Sequence, residues 1–117
     1  MASEEAQRRG RGSRKKGQNG ELELARILRD QYGYDVHRGY TFHHESDCVG
    51  LKGIHIEVKR REKISIYEWM EQAIEEAKKR MDGLPVVFFR KNRKEWLVTM
   101  RLEDWLDLYG EWIDDGK

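Results

Sequence analysis

Apolar residues recur along the chain at two spacings, one typical of helices and one typical of strands. Steps of three and four positions predict three helices, over residues 18–32, 66–81 and 102–109. Short alternating or continuous apolar runs predict five strands, over residues 34–38, 47–50, 54–59, 85–89 and 95–99. The order helix, three strands, helix, two strands, helix predicts an α/β protein in which helices flank one mixed five-stranded sheet.

The strand over residues 54–59 carries the most informative polar side chains. Its isoleucines and valine share one face, while the other face presents His55, Glu57 and Lys59. Glu57 and Lys59 are therefore neighbours on that face, with α-carbons roughly 7 Å apart. A carboxylate and an ammonium group add little stability to an otherwise apolar strand, which favours a chemical role.

A second carboxylate is predicted to lie across from Glu57. The turn at Lys52 and Gly53 joins two strands into an antiparallel pair, which brings Asp47 beside Glu57. Glu21 opens the first helix, where the helix dipole favours a negative charge, so Glu21 also has a purely structural explanation. Carboxylate oxygens are the ligands that Mg²⁺ prefers.

These residues predict a divalent-metal site for cutting a nucleic-acid backbone. Asp47, Glu57 and the backbone carbonyl of Val58 are the expected ligands, and Glu21 is expected to complete a second metal position or to orient a water. Lys59 is expected to orient the attacking water and to stabilise charge on the phosphoryl group. The spacing E-x-K also occurs at residues 76–78, but inside a predicted helix, where positions i and i+2 point roughly 200° apart.

Length and composition predict one domain, and the distribution of charge says more about partners than the net charge does. The chain has 117 residues, of which 38% are charged, and a formal net charge of only +1. Arginine and lysine are concentrated in residues 1–16, which we interpret as a flexible basic tail before a single domain over 17–117. The tail is either a solubilising extension or a phosphate-binding arm. The residues predicted to bind nucleic acid are Arg14, Lys15, Lys16, Arg38, Tyr40, Phe42, His43, Arg60, Arg61 and Lys63.

Other residue types narrow the function and the location. Cys48 is the only cysteine, which predicts a reducing setting, and no apolar run approaches the roughly 18 residues of a membrane span. We therefore expect a cytoplasmic protein. The histidines and Cys48 match no common zinc spacing, and His55 either contacts the scissile phosphate or fills space beside the site. Core packing is the expected role of Trp69, Trp96 and Trp105.

Three segments resemble the PD-(D/E)-x-K nuclease superfamily. They are Lys16 to Glu21, Ser46-Asp47 and Glu57-Val58-Lys59, and they are most similar to the archaeal and phage Holliday-junction resolvase-like branch. Ser46 stands where that branch commonly has proline. The loop over residues 39–45 is unlike the loop of the archaeal resolvases, which bears on junction selectivity more than on catalysis.

The resemblance implies a restriction-endonuclease-like core and catalytic roles for Glu21, Asp47, Glu57 and Lys59. It also implies Mg²⁺ or Mn²⁺ as cofactor, a role in DNA recombination and repair, and a homodimer with two active sites. The leading hypothesis is a metal-dependent DNA endonuclease that resolves or nicks branched DNA. The alternatives are a nuclease for plain duplex or single-stranded DNA, and a non-catalytic nucleic-acid-binding module.

Overall fold

The computed structural model describes residues 18–40 and 46–116. The predicted basic tail over 1–16 lies outside the described residues, and with it Arg14, Lys15 and Lys16. Phe42 and His43, two of the predicted nucleic-acid contacts, also lie outside them.

Helices and strands follow one another in the predicted order. The helices of the described chain are α1 over residues 18–30, α2 over Ile66–Arg80 and α3 over Leu102–Asp114. The strands are β1 (His37–Arg38), β2 (Cys48–Val49), β3 (Ile54–Arg60), β4 (Leu84–Arg90) and β5 (Leu97–Met100). None of these helices combines the length and the apolarity that a membrane crossing requires.

The five strands form one mixed sheet in the order β1-β2-β3-β4-β5. β3 and β4 are parallel and pair along their whole length, from Ile54 opposite Leu84 to Arg60 opposite Arg90. The other neighbours are antiparallel. Parallel neighbours need a crossover connection, and here α2 provides it. The predicted α/β fold with a mixed sheet is confirmed, and it is consistent with a restriction-endonuclease-like core.

Apolar side chains pack on both faces of the sheet, because strand residues alternate in direction. On one face, Leu24 and Ala25 of α1 pack with Ile56 and Val58 of β3, and Cys48 completes this cluster. On the other face, α2 packs on β4 in a second cluster that comprises Trp69, Met70, Ala73, Val87 and Phe89. The central strands β3 and β4 are therefore covered on both sides.

Two glycines permit close approaches between backbone segments. A Cβ atom at Gly83 would lie 2.4 Å from the carbonyl of Gly53, and Gly83 has a φ of 129°. A Cβ atom at Gly50 would lie 2.3 Å from the carbonyl oxygen of Asp35. Contacts this short exclude any side chain, so both positions need glycine. The first of them lets the chain enter β4 beside the turn that precedes β3.

The structure corrects three sequence-based expectations. The first strand covers only His37–Arg38, because the chain leaving α1 still bonds back to that helix through the Tyr34 N–H and the Leu28 carbonyl. The last helix continues past Tyr109 to Asp114. Trp105 of that helix is 49% exposed and not part of the core, whereas Trp69 is buried as expected.

Candidate metal centre

Asp47 and Glu57 face each other where β2 begins beside β3. The register pairs Cys48 with Ile56, so the next pair outward is Asp47 and Glu57, as the turn at residues 52–53 predicted. Side chains of directly opposed residues lie on the same face of a sheet. The two carboxylates therefore meet on the face that α2 covers.

The Asp47 carboxylate bonds to a backbone N–H of β3 that has no partner strand beside it. Its Oδ2 atom accepts a hydrogen bond of 2.8 Å from the N–H of Val58, a position that β2 is too short to reach. Burial raises the pKa of Asp47 to about 7, and the negative charges of Glu57 and Glu21 act in the same direction. The Val58 N–H and Lys59 oppose this shift. Burial is thus the main cause of the raised pKa of Asp47, and the two neighbouring carboxylates add to it.

Glu57 is buried between the sheet and α2, and a histidine lies beside it. Its side chain is only 5% exposed, and its Oε2 atom is 3.8 Å from Nε2 of His55. The Nδ1 atom of His55 is 2.8 Å from Oδ1 of Asp82, in the turn that follows α2. Burial favours the neutral imidazole, but the carboxylates of Glu57 and Asp82 outweigh it and raise the pKa of His55.

These contacts decide between the two roles considered for His55. The side chain is completely buried, so it fills space under α2 and does not reach a phosphate. Its Nε2 atom has no hydrogen-bond partner and is directed towards the Glu57 carboxylate. His55 is therefore a buried neighbour of the Glu57 carboxylate, on the side of the site that faces the protein interior.

Lys59 is held in place by the helix above it. Its ammonium group donates a hydrogen bond of 2.7 Å to the side-chain carbonyl oxygen of Gln72 in α2. Lys59 also lowers the pKa of Asp47, which places its charge within electrostatic reach of that carboxylate. The face of β3 that was predicted to carry the chemistry thus presents Glu57 and Lys59 beside Asp47.

Glu21 is close to the same cluster but is already paired. Its Oε2 atom accepts a hydrogen bond of 2.6 Å from Nε of Arg38, across from α1 to β1. Glu21 nevertheless raises the pKa of both Asp47 and Cys48. Arg38, predicted to contact nucleic acid, is thereby paired with Glu21, although its side chain is 37% exposed. Cys48 is a buried core side chain, and burial raises the pKa of its thiol to about 12.

The predicted nucleic-acid contacts after β3 divide into two kinds. Arg60 points to the α1 side, where it lies 3.7 Å from Glu23 and bonds to Asn92, so its guanidinium is already engaged by other side chains. Lys63 is exposed, Arg61 is half-buried, and Tyr40 at the end of the first described segment is exposed. These three positions lie at the surface.

The donor set fits a hard divalent cation. Among the described residues, no three His, Cys, Asp or Glu side chains converge closely enough to form a complete ligand cage. Mg²⁺ does not need one, because it usually keeps several waters and binds through one or two carboxylates. Burial and the neighbouring carboxylates raise the pKa of Asp47, and a bound cation would favour its ionised form.

Two residues that support the site were missed by the sequence-based predictions. Gln72 orients Lys59, and Asp82 orients His55. Gln72 lies within an amphipathic helix where nothing in the spacing distinguishes it from a solvated residue. Asp82 precedes Gly83 in the turn that closes α2, and the pair Asp-Gly is typical of turns in general.

The fold and the site together define a class of protein. A mixed α/β sheet that carries an aspartate opposite the glutamate of E-x-K has the architecture of the PD-(D/E)-x-K nucleases. The model of one such family, described as "phage putative PDDEXK endonuclease", matches residues 12–116. The chain therefore belongs to this family of phage endonucleases, whose superfamily generally uses divalent metals. No curated protein sequence matches the chain.

Proposed function

We propose that this chain is a metal-dependent DNA endonuclease whose active site comprises Asp47, Glu57, Lys59 and Glu21. The observation that carries the proposal is the pairing of Asp47 with Glu57 across β2 and β3, with Lys59 next along the same face. In this arrangement Asp47, Glu57 and the carbonyl of Val58 would hold Mg²⁺, for which Mn²⁺ would substitute. When bound, the cation supplies charge neutralisation at the phosphate.

The protein side chains then have distinct tasks. Lys59, fixed by Gln72, orients the attacking water and stabilises the negative charge that develops on the phosphoryl oxygens. Glu21 serves a second cation position or orients a water, and Arg38 holds its carboxylate in place. Burial of Glu57 under α2 keeps its oxygens from being fully hydrated.

We further propose that the substrate is branched DNA such as a Holliday junction, cut by a homodimer with two active sites. The similarity of three sequence segments to the resolvase-like branch supports this. Exposed basic residues beside the site, Lys63 after β3 and the turn between β4 and β5, suit phosphate contacts that position DNA without reading its sequence. A recombination or repair role follows from that substrate.

The test is a cleavage panel on four-way junction, linear duplex and single-stranded DNA, each with Mg²⁺, Mn²⁺ or EDTA. We expect metal-dependent cleavage with paired symmetric cuts on the junction. Lys59→Ala should lower the cleavage rate by at least about 100-fold, because a charge that stabilises the transition state is lost. Lys52→Ala, at an exposed turn, is the matched control and should cleave normally.

Each result of the panel distinguishes the candidate functions. Cleavage of plain duplex or single strands alone would retain the nuclease and remove the junction specificity. Binding of DNA without cleavage in either metal would contradict the enzyme and support a non-catalytic binding module.

A further inference from the structure

Helix α3 leaves the body of the protein with its apolar side chains uncovered. Asp104, in the first turn, is the helix's one buried residue, and it is bonded to Arg101. The large apolar residues of the helix are between 40% and 72% exposed. They are Leu102, Trp105, Leu106, Leu108, Tyr109, Trp112 and Ile113.

Most of these side chains form one continuous stripe. Residues 102, 105, 106, 109, 112 and 113 recur in steps of three and four over two heptads, and we refer to them as the α3 stripe. The rings of Trp105 and Tyr109 stack at 5.2 Å, and Tyr109 contacts Trp112 at 5.8 Å. Trp105, Leu108, Tyr109 and Trp112 line a shallow groove of about 370 Å³. The stripe is therefore an ordered surface and not a scatter of single residues.

The sequence of α3 is poorly suited to a helix that stands alone. Gly110 lies in its interior, which costs about 1 kcal/mol relative to alanine. The helix dipole favours the acidic residues of its first turn, but its last turn also carries acidic residues and no basic ones, which the dipole opposes. No side chain caps its N-terminus. Helices of this length are marginal in water even with favourable residues, so burial of the stripe is needed to stabilise α3.

The exposed surface has the size that a stable dimer needs. At ordinary side-chain sizes, the exposed parts of these seven residues amount to roughly 700 Å². A standard protein–protein interface buries about 800 Å² on each partner, and its core is rich in tryptophan and tyrosine. A monomer rarely exposes an apolar patch of this size without a partner.

We propose that the α3 stripe is the surface through which two copies of this chain associate. The same stripe on both copies gives a self-complementary contact about a two-fold axis. The acidic residues of α3 leave the stripe itself free of charge: Glu103, Asp104, Asp107, Glu111 and Asp114 occupy the other positions of the heptads. The proposal names the interface of the homodimer proposed above, but it rests on the stripe and not on cleavage activity.

A second copy fits the stripe better than the basic residues 1–16 do. Those residues are polar and positively charged, so they would bind the acidic side chains of α3 and leave the aromatic rings exposed to water. The two occupants differ in their response to salt. Association through apolar side chains between two acidic helices holds or tightens as salt rises, whereas association through opposite charges weakens.

Sedimentation velocity of the full chain at 0.1 and 0.5 M NaCl tests the proposal. We expect a dimer at about 10 μM, with a Kd that does not increase in high salt. The variant with Trp105→Gln and Trp112→Gln should raise the Kd at least about tenfold, because buried tryptophans dominate interface energies. Tyr67→Gln, which removes an 86%-exposed aromatic residue on α2, is the matched control and should dimerise as wild type does.

Tryptophan emission provides a readout that does not require a variant. Two of the four tryptophans lie in the stripe, so dilution of the wild-type chain through its Kd should shift the emission to longer wavelength. Four results would each overturn the proposal. The first two are a chain that is still monomeric at about 200 μM and a dimer that the double variant leaves intact. The others are an emission that does not change on dissociation and a dimer that is lost in 0.5 M NaCl. The last result would favour residues 1–16 as the occupant. Cleavage is measured separately, so a monomeric nuclease would overturn the interface alone.

Discussion

Asp47 is the residue of the candidate site whose carboxyl group differs most from an ordinary one. It lies opposite Glu57, accepts the Val58 N–H and has a pKa raised to about 7 by burial and by two neighbouring acids. The Val58 N–H and Lys59 offset these effects only in part. Perturbed pKa values of this kind cluster at functional sites.

The raised pKa of Asp47 predicts a pH-dependent effect of Asp47→Asn on metal-free protein. The ordinary pKa is 3.8, and the folded value is about 7, so the folded protein retains a proton that the unfolded chain releases. Asp47 therefore lowers stability as pH rises from about 4 to about 7, and the full penalty persists above pH 7. Asp47→Asn removes this penalty and keeps an oxygen for the Val58 N–H.

We expect Asp47→Asn to stabilise the protein in EDTA at pH 8 by on the order of 1 kcal/mol, with a smaller effect at pH 5. Urea denaturation at the two pH values measures the difference. Asp30→Asn, on the exposed surface of α1, is the control and should change neither value. An equal effect of Asp47→Asn at both pH values would contradict the raised pKa of Asp47.

At the residue level, the sequence predicted where the site residues lie on the sheet better than it predicted which side chains they bond to. The alternation of β3 and the turn at residues 52–53 were sufficient to bring Glu57, Lys59 and Asp47 together. The bond from Lys59 to Gln72 and the ion pair of Arg38 with Glu21 depend on how α2 and α1 cross the sheet. Crossing geometry depends on the whole packed core, so no local pattern encodes these contacts.

Among the secondary-structure elements, α1 is linked to β4 through the carboxylate of Glu23. Glu23 accepts two hydrogen bonds from Arg90 of β4, at 2.7 and 2.9 Å, and a third of 3.0 Å from the indole N–H of Trp96. Burial opposes ionisation of Glu23, but these donors outweigh it and lower the pKa of the carboxyl group. Glu23 therefore links the helix that carries Glu21 to the strand beside β3.

Glu23→Gln should destabilise the protein by about 1–2 kcal/mol at neutral pH, because a bidentate charged pair is replaced by weaker neutral bonds. The folded pKa lies below the ordinary 4.5, so this contribution is present above pH 4.5 and is lost as pH falls below it. Thermal unfolding of wild type and variant at pH 7 and pH 3 measures both effects.

The control for Glu23→Gln is Glu71→Gln, an exposed glutamate on α2 that should leave the unfolding temperature unchanged. A difference between wild type and Glu23→Gln that is as large at pH 3 as at pH 7 would contradict the ionic character of this link.

The order and type of the elements could be predicted from apolar spacing, but their environment could not. The steps of three and four in α2 and α3 look alike in the sequence, yet α2 buries Trp69 and Ala73 while α3 exposes its stripe. A hydrophobic pattern specifies which face of a helix is apolar and not what covers it. The expectation that Trp105 lies in the core was wrong for this reason.

For the whole molecule, the candidate metal centre and the α3 stripe lie on different elements. The centre is formed where β2 begins beside β3, next to α2, and the stripe lies on the helix that follows the edge strand β5. The proposed association through α3 would therefore use a surface other than the candidate metal centre. Two such centres in one dimer are what paired cuts on a junction require.

The proposed metal site is tested by calorimetric titration of the metal-free protein with Mn²⁺ at pH 7.5. If the carboxylates around Asp47 bind the cation, we expect saturable binding that Asp47→Asn weakens at least about tenfold and that Asp30→Asn leaves unchanged. Absence of binding, or binding of equal strength in Asp47→Asn, would contradict it.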